Sequence, residues 1–151
     1  MRATMRKRNL FGLVVILALI GTISMQARAQ ESWTDPATGL MWALQDHVQD
    51  SGAGVSWNQA SGYCANLDLA GLSHWRLATI DELAAIYVET KVADGNYHIK
   101  GGIQLSGQAM IWSSTAGNDP GKALMFSFLL GVQVPYPRDA STMSALCVRH
   151  S

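Results

Sequence analysis

Cysteine is scarce in this chain: Cys64 and Cys147 are the only two in 151 residues, and no Cys-x-x-Cys occurs. Nothing in that spacing supports a redox or nucleophilic role for either thiol. The four histidines, His47, His74, His98 and His150, form no His-x-Glu or His-x-x-x-His pair, so no metal-ligand spacing is present. A Gly-x-Ser-x-Gly elbow, a phosphate loop and a dinucleotide fingerprint are all missing. Asp81-Glu82 is an adjacent carboxylate pair, but both fall in the first turn of an expected helix, where capping and the helix dipole account for them. Internal repeats and low-complexity tracts are also lacking. The chain reads as non-enzymatic, with no metal site and no cofactor.

Long apolar runs are missing after residue 24. Before it, Arg2, Arg6, Lys7 and Arg8 precede an uncharged run over 10–24, and Ala27-Arg28-Ala29 places small residues where a signal peptidase reads. Residues 1–29 are therefore expected to be a secretory signal peptide, the run being shorter than the roughly 20 residues that cross a bilayer. Residues 30–151 are expected to form a single domain with no membrane span, periplasmic or extracellular. Removing 1–29 takes five of the 11 basic residues and none of the 11 acidic ones, leaving a net charge of −5. Such a domain lacks the broad basic surface that non-specific nucleic-acid binding needs. Its two cysteines, even in number and in an oxidising compartment, are expected to pair.

Along the domain, 40–44 reads as a short strand after Gly39, and 46–55 as a loop. Ser56 and Gln59 make a Ser-x-x-Gln capping box, with Trp57, Ala60, Cys64 and Leu67 at helical spacing behind it. Thr79 and Glu82 make a second box, and the apolar stripe Ile80, Leu83 and Ile86 predicts a helix ending near Glu89. Residues 92–109 are Gly-rich and irregular, a loop of a length that is often functional. Strands follow at 110–114, 123–129, 132–136 and 145–149, with a turn at Leu130-Gly131. The expected fold is α+β, with two helices packed on a small antiparallel sheet and long irregular loops.

Thr38-Gly39-Leu40-Met41-Trp42, Trp57 with Tyr63-Cys64, the block from Gly71 through His74-Trp75-Arg76-Leu77 to Glu82, Trp112-Ser113-Ser114 and Cys147-Val148-Arg149 occur in that order. In this ensemble the chain resembles the Lcl C-terminal domain family of secreted bacterial proteins, over roughly residues 34–150. Ala78 departs from the family pattern, which has proline after Trp-Arg-Leu. The resemblance implies a C-type-lectin-like fold with a disulfide from first helix to last strand. The family's namesake is a surface adhesin whose C-terminal domain contacts host glycans, which implies adhesion and carbohydrate binding without transmitting a ligand.

Trp75 and Arg76 have the chemistry to stack on and hydrogen-bond a sugar, but a segment feeding a helix cap is better read as an anchor. In calcium-dependent lectins the region of Trp112 to Asp119 supplies ligands, and Asn118 and Asp119 are hard oxygen donors. Two adjacent oxygens fall short of the roughly six to eight that calcium takes. Glu-Pro-Asn and Gln-Pro-Asp are absent, and Trp-Ser-Ser stands where such lectins have Trp-Asn-Asp. Turn chemistry explains Asn118-Asp119-Pro120-Gly121, and calcium is kept only as an alternative. Lys91, Lys100 and Lys122 read first as solvated loop lysines, the alternative being a small basic-aromatic patch that they frame with Tyr97 and His98.

The candidate ligand residues are thus Tyr97, His98 and Lys100 on loop 93–107, Trp112 on the strand 110–114, and Asn118, Asp119 and Lys122 on loop 116–122. They give a secreted or envelope-associated binding module whose ligand is a glycan or a protein surface. A structural envelope protein is the alternative. An enzyme of the formylglycine-generating branch of the fold stands further off, since it needs a reactive cysteine.

Overall fold

The computed structural model describes residues 31–90, 97–107 and 109–151, so the expected signal peptide and residues 91–96 lie outside the described residues. The elements in chain order are β1 (Ser32–Thr34), β2 (Leu40–Ala43), α1 (His47–Ser51), α2 (Trp57–Asn66), β3 (Arg76–Leu77), α3 (Ile80–Ala85), β4 (Met110–Ala116), β5 (Lys122–Ser127), β6 (Val132–Pro137), β7 (Ser144–Ala145) and β8 (Cys147–His150). They form two four-stranded sheets, ordered β1-β2-β8-β3 and β6-β5-β4-β7. The expected single antiparallel sheet is therefore corrected to two, the second of which contains a parallel pair, β4 with β7.

Both capping boxes form. Gln59 Oε1 accepts from the Ser56 N–H at 2.9 Å, and at α3 the Glu82 N–H donates to Thr79 Oγ1 while Glu82 Oε2 accepts from the Thr79 N–H. The second helix stops at Ala85 instead of near Glu89. Ile86, Tyr87 and Val88 prefer extended backbone, and the chain there turns to pair with 98–100 through Val88 N–H to His98 O and Lys100 N–H to Ile86 O.

A third helix, α1, occupies part of the expected 46–55 loop. Asp46 caps it by accepting from the Gln49 N–H, and Gly52 ends it in the left-handed region at φ +77°. Asp46 is fully buried, and its carboxylate also accepts from the Ser106 N–H at 2.9 Å and Ser106 Oγ at 2.7 Å, fastening residues 104–106 to the end of β2.

One core cluster gathers Leu40, Trp42, Leu83, Ile86, Ile111, Phe126, Phe128, Leu146 and Val148. The other gathers Ala60, Cys64, Trp75, Leu77, Trp112, Met125, Ala145 and Cys147. Alternation along β4 sends Ile111 into the first and Trp112 into the second, so the β6-β5-β4-β7 sheet carries apolar packing on both faces. Ala78, in place of the family's proline, is fully buried, and its carbonyl accepts from the Ser114 N–H at 2.7 Å. Arg76 makes a two-pronged ion pair with Glu82, at 2.7 and 2.6 Å, at the start of α3. Cys64 and Cys147 are joined, with Cα atoms 5.4 Å apart, fixing α2 to β8.

β6 is the outer strand of its sheet, and two of its six residues are Pro135 and Pro137. Arg138 N–H bonds inward to Gly121 O, so the alternation of an antiparallel ladder turns positions 135 and 137 outward, where no N–H is available.

Two predictions follow from this packing. The Cys64–Cys147 bond closes 83 residues of chain, which in the chain-entropy picture restricts the unfolded state by about 4–5 kcal/mol. The Cys64→Ala/Cys147→Ala double variant should lose about 3–5 kcal/mol of stability in urea denaturation, while an unchanged midpoint would mean that the bond only decorates the fold. The second concerns pH. The hydrogen bonds from Arg76, opposed by burial and aided by the Thr79 N–H, hold the Glu82 carboxyl below its ordinary value. A depressed carboxyl adds stability that is complete above the unfolded value of about 4.3 and disappears as pH falls through the folded one. Glu82→Gln should therefore reduce stability at neutral pH and flatten its decline in acid.

Candidate functional site

The β4–β5 connection is a tight turn because its polar groups close on each other. Gly117 N–H donates to Lys122 O at 3.0 Å, Lys122 N–H to Asp119 O at 2.9 Å, and Gly121 N–H to Asp119 Oδ1 at 2.9 Å. Any Cβ at Gly117 would sit 3.2 Å from both Cβ and O of Lys122, tighter than normal contact. Beside this turn lies a half-open depression of about 380 Å³, walled by Ala116, Gly117, Asn118, Asp119 and Lys122 and by Leu124, Gln133 and Pro135. Leu124 and Pro135 are direct cross-strand partners on β5 and β6 and supply an apolar floor. Two amides, a carboxylate and an ammonium stand around that floor, so donors and acceptors of both kinds face one small concavity.

Three of the seven candidate residues, Asn118, Asp119 and Lys122, thus come together. Gln133 and Pro135 join them although the sequence reading passed them over. They lie 11 or more residues away and reach the wall only through the β5–β6 register, a pairing legible in the alternation of 132–136 had it been extended to side-chain facing.

The remaining candidates are placed elsewhere. Trp112 is fully buried, with its indole N–H donating to Val55 O at 2.9 Å, and this corrects its assignment as a ligand residue. Tyr97, His98 and Lys100 do adjoin one another, but their polar atoms are directed at backbone carbonyls. Tyr97 Oη donates to Gly107 O, His98 Nδ1 lies 3.0 and 2.8 Å from Val88 O and Glu89 O, and Lys100 Nζ donates to Ala85 O at 2.8 Å. The His98 ring also stacks on Tyr87. The loop they occupy buries Ile99, Ile103 and Leu105 in the core, so its second half is packed structure. Lys91 and residues 93–96 fall outside the described residues.

Trp75 and Arg76 act as anchors. The Trp75 indole is buried and donates to Leu72 O at 2.7 Å, and Arg76 is held by Glu82. Between α1 and α2, the Tyr63 hydroxyl donates to Asp50 Oδ2 at 3.2 Å, and His47 packs edge-on against the Tyr63 ring. Burial first, and then the Asp50 charge and hydrogen bond, push the Tyr63 phenol up to about 12, keeping it protonated as a donor. Among the described residues no group of three or more His, Cys, Asp or Glu side chains is placed to hold a metal ion, and no helix is long and apolar enough to cross a membrane.

No curated protein matches the chain. The sequence model of the Lcl C-terminal domain family matches residues 31–149, from the start of β1 to the last residues of β8. With that span matched and the family's motifs set at the capping boxes, the buried tryptophans and the disulfide, the chain belongs to the Lcl C-terminal domain family.

Proposed function

We propose that this protein is an exported, non-enzymatic binding module of C-type-lectin-like fold, and that the depression beside the β4–β5 turn takes a glycan. The observation that carries the reading is the meeting of Asn118, Asp119, Lys122 and Gln133 around a floor of Leu124 and Pro135. A sugar offers hydroxyls that donate and accept at once, together with an apolar ring face, and this wall has partners for both. Two sheets, capped helices and a bond from α2 to the last strand agree with a C-type-lectin-like arrangement. That bond also suits an oxidising compartment, as does the basic and apolar N-terminal stretch. The formylglycine-type alternative has little to draw on, because the chain's two cysteines are bonded to each other.

A protein surface as ligand is favoured by one specific observation. Leu129, Leu130 and Val132 stand exposed at and beside the β5–β6 turn, with Leu130 at 67%.

A glycan array probed with the protein, in calcium and in chelator, tests the reading. Binding to at least one glycan class is expected, and Asn118→Ala combined with Gln133→Ala should weaken it about tenfold to a hundredfold, the worth of two hydrogen bonds. Both positions are exposed, so unchanged circular dichroism and melting should accompany the loss. Loss in chelator would assign calcium to the Asn118–Asp119 turn. Glycan binding that ignores the double variant, or no glycan binding at all, would sink the proposal.

A further inference from the structure

The two faces of the outer strand β6 differ in character. Gln133 and Pro135 join the depression beside the β4–β5 turn, while alternation turns Val134 and Tyr136 to the opposite face of the sheet, where Val134 packs on the second core cluster and the Tyr136 ring meets Trp112 edge-on. Tyr136 is 37% exposed, and its hydroxyl has no hydrogen-bond partner among the described residues. Arg138 follows on the same face, with its guanidinium 4.3 Å over the Trp57 ring. The stripe therefore runs from aliphatic to aromatic to cationic.

The Arg138 guanidinium is set in place by the fold itself. Its backbone N–H donates to Gly121 O at 3.0 Å, its carbonyl accepts from the Trp57 N–H at 2.9 Å, and Nε donates to Lys122 O at 3.0 Å. Trp57 beneath it is fixed in turn by its indole N–H on Ser113 O. Nη1 and Nη2 are left over, with no partner among the described residues. The other two arginines there do use such nitrogens, Arg76 on Glu82 and Arg149 on Ser73 O. The chain has 11 Asp and Glu residues, yet the one ion pair among the described residues joins Arg76 to Glu82, so neither Asp119 nor Asp139 compensates Arg138. A guanidinium fixed in this way presents two parallel N–H donors, the spacing that two carboxylate oxygens match. Lys122 lines the depression on the other face, so no ammonium stands beside this fork to help hold a sulfate or a phosphate.

We infer that this face of β6 binds a peptide C-terminus that ends in an apolar residue. The terminal carboxylate takes Nη1 and Nη2 of Arg138, and the last side chain lies on Tyr136 and Val134. Charge complementarity selects the carboxylate, and the apolar neighbours select what precedes it. A terminal carboxylate stands directly beside its own side chain, as Arg138 stands one same-face step of about 7 Å from Tyr136. Positions 135 and 137 have no outward N–H, so the peptide is held by side chains and does not extend the sheet. The site lies across the sheet from the glycan depression, and its occupation does not depend on that reading.

The probe is acetyl-Ala-Leu with a free carboxylate, compared with its C-terminal amide and with acetyl-Leu-Asp-amide, which carries the carboxylate on a side chain. Titrated into the nitrogen-15-labelled protein, the free acid is expected to shift the Arg138 Nε–H resonance, the Trp57 indole N–H and the backbone resonances of Val134 and Tyr136. The amide should bind about threefold to tenfold more weakly and leave the Nε–H resonance in place, a difference that shrinks with added salt. Acetyl-Leu-Asp-amide should fall between the two. Arg138→Gln should remove the preference for the acid, with circular dichroism and melting checking the fold. Tyr136→Ala should weaken acid and amide alike and leave their ratio unchanged. The comparison of acid with amide on the unaltered protein decides the matter even where a variant fails to fold. Absence of shifts with the acid, equal binding of acid and amide, equal binding of the side-chain carboxylate, or a preference that survives Arg138→Gln in a folded protein would each overturn the assignment.

Discussion

The chain's last strand serves two sheets in succession, and the rest of the structure depends on that crossing. Ser144 and Ala145 run parallel to β4 beside Ile111 and Trp112, and two residues later Cys147 and Val148 pair antiparallel with β3 and β2. Leu146 sits between them with no exposure. Side chains alternate along this stretch, so Leu146 and Val148 enter one core cluster while Ala145 and Cys147 enter the other. Neither core can form without fixing the position of the opposite sheet. The bond to Cys64 then draws α2 onto the same few residues. Sheet, sheet and helix are held from one point, which is why short elements such as β3 and β7, two residues each, persist at all.

Much of this was legible where a local chemical signal existed. The capping boxes at Ser56 and Thr79 mark their helices by residue type and spacing, and the alternating apolar residues of 110–136 mark three strands. Asp46 and Gly52 are a cap and a stop of the same kind, but only five residues of helix lie between them, with no apolar stripe and no buried residue to draw attention. The split of the final strand has no local signal: continuous apolar sequence at 145–148 is equally compatible with one sheet or two. The Gly-rich loop misleads through its composition, because glycines at positive φ such as Gly101 and Gly102 let Ile99, Ile103 and Leu105 reach the core. Gly101 has a further reason, since a Cβ there would fall 2.2 Å from the Trp33 ring.

For the sites the same division holds. Asn118, Asp119 and Lys122 are visible as a polar turn, and a turn is where side chains can converge. Gln133 and Pro135 belong to the wall through register alone. Trp112 drew notice as a tryptophan beside a polar turn, yet β4 is covered on both faces at this point, with Ile111, Trp112 and Ser113 all buried.

The two prolines on β6 bear on how the protein behaves when copies of it crowd together. A sheet margin with a full row of donors invites a passing extended chain to extend the ladder, the first step of fibre growth and of strand exchange between copies. Here two of the three outward-facing positions of β6, 135 and 137, carry no donor, so the ladder ends with the molecule's own hairpin. The β6 margin thereby offers another chain little backbone to pair with, and contacts on this flank are left to side chains and shape.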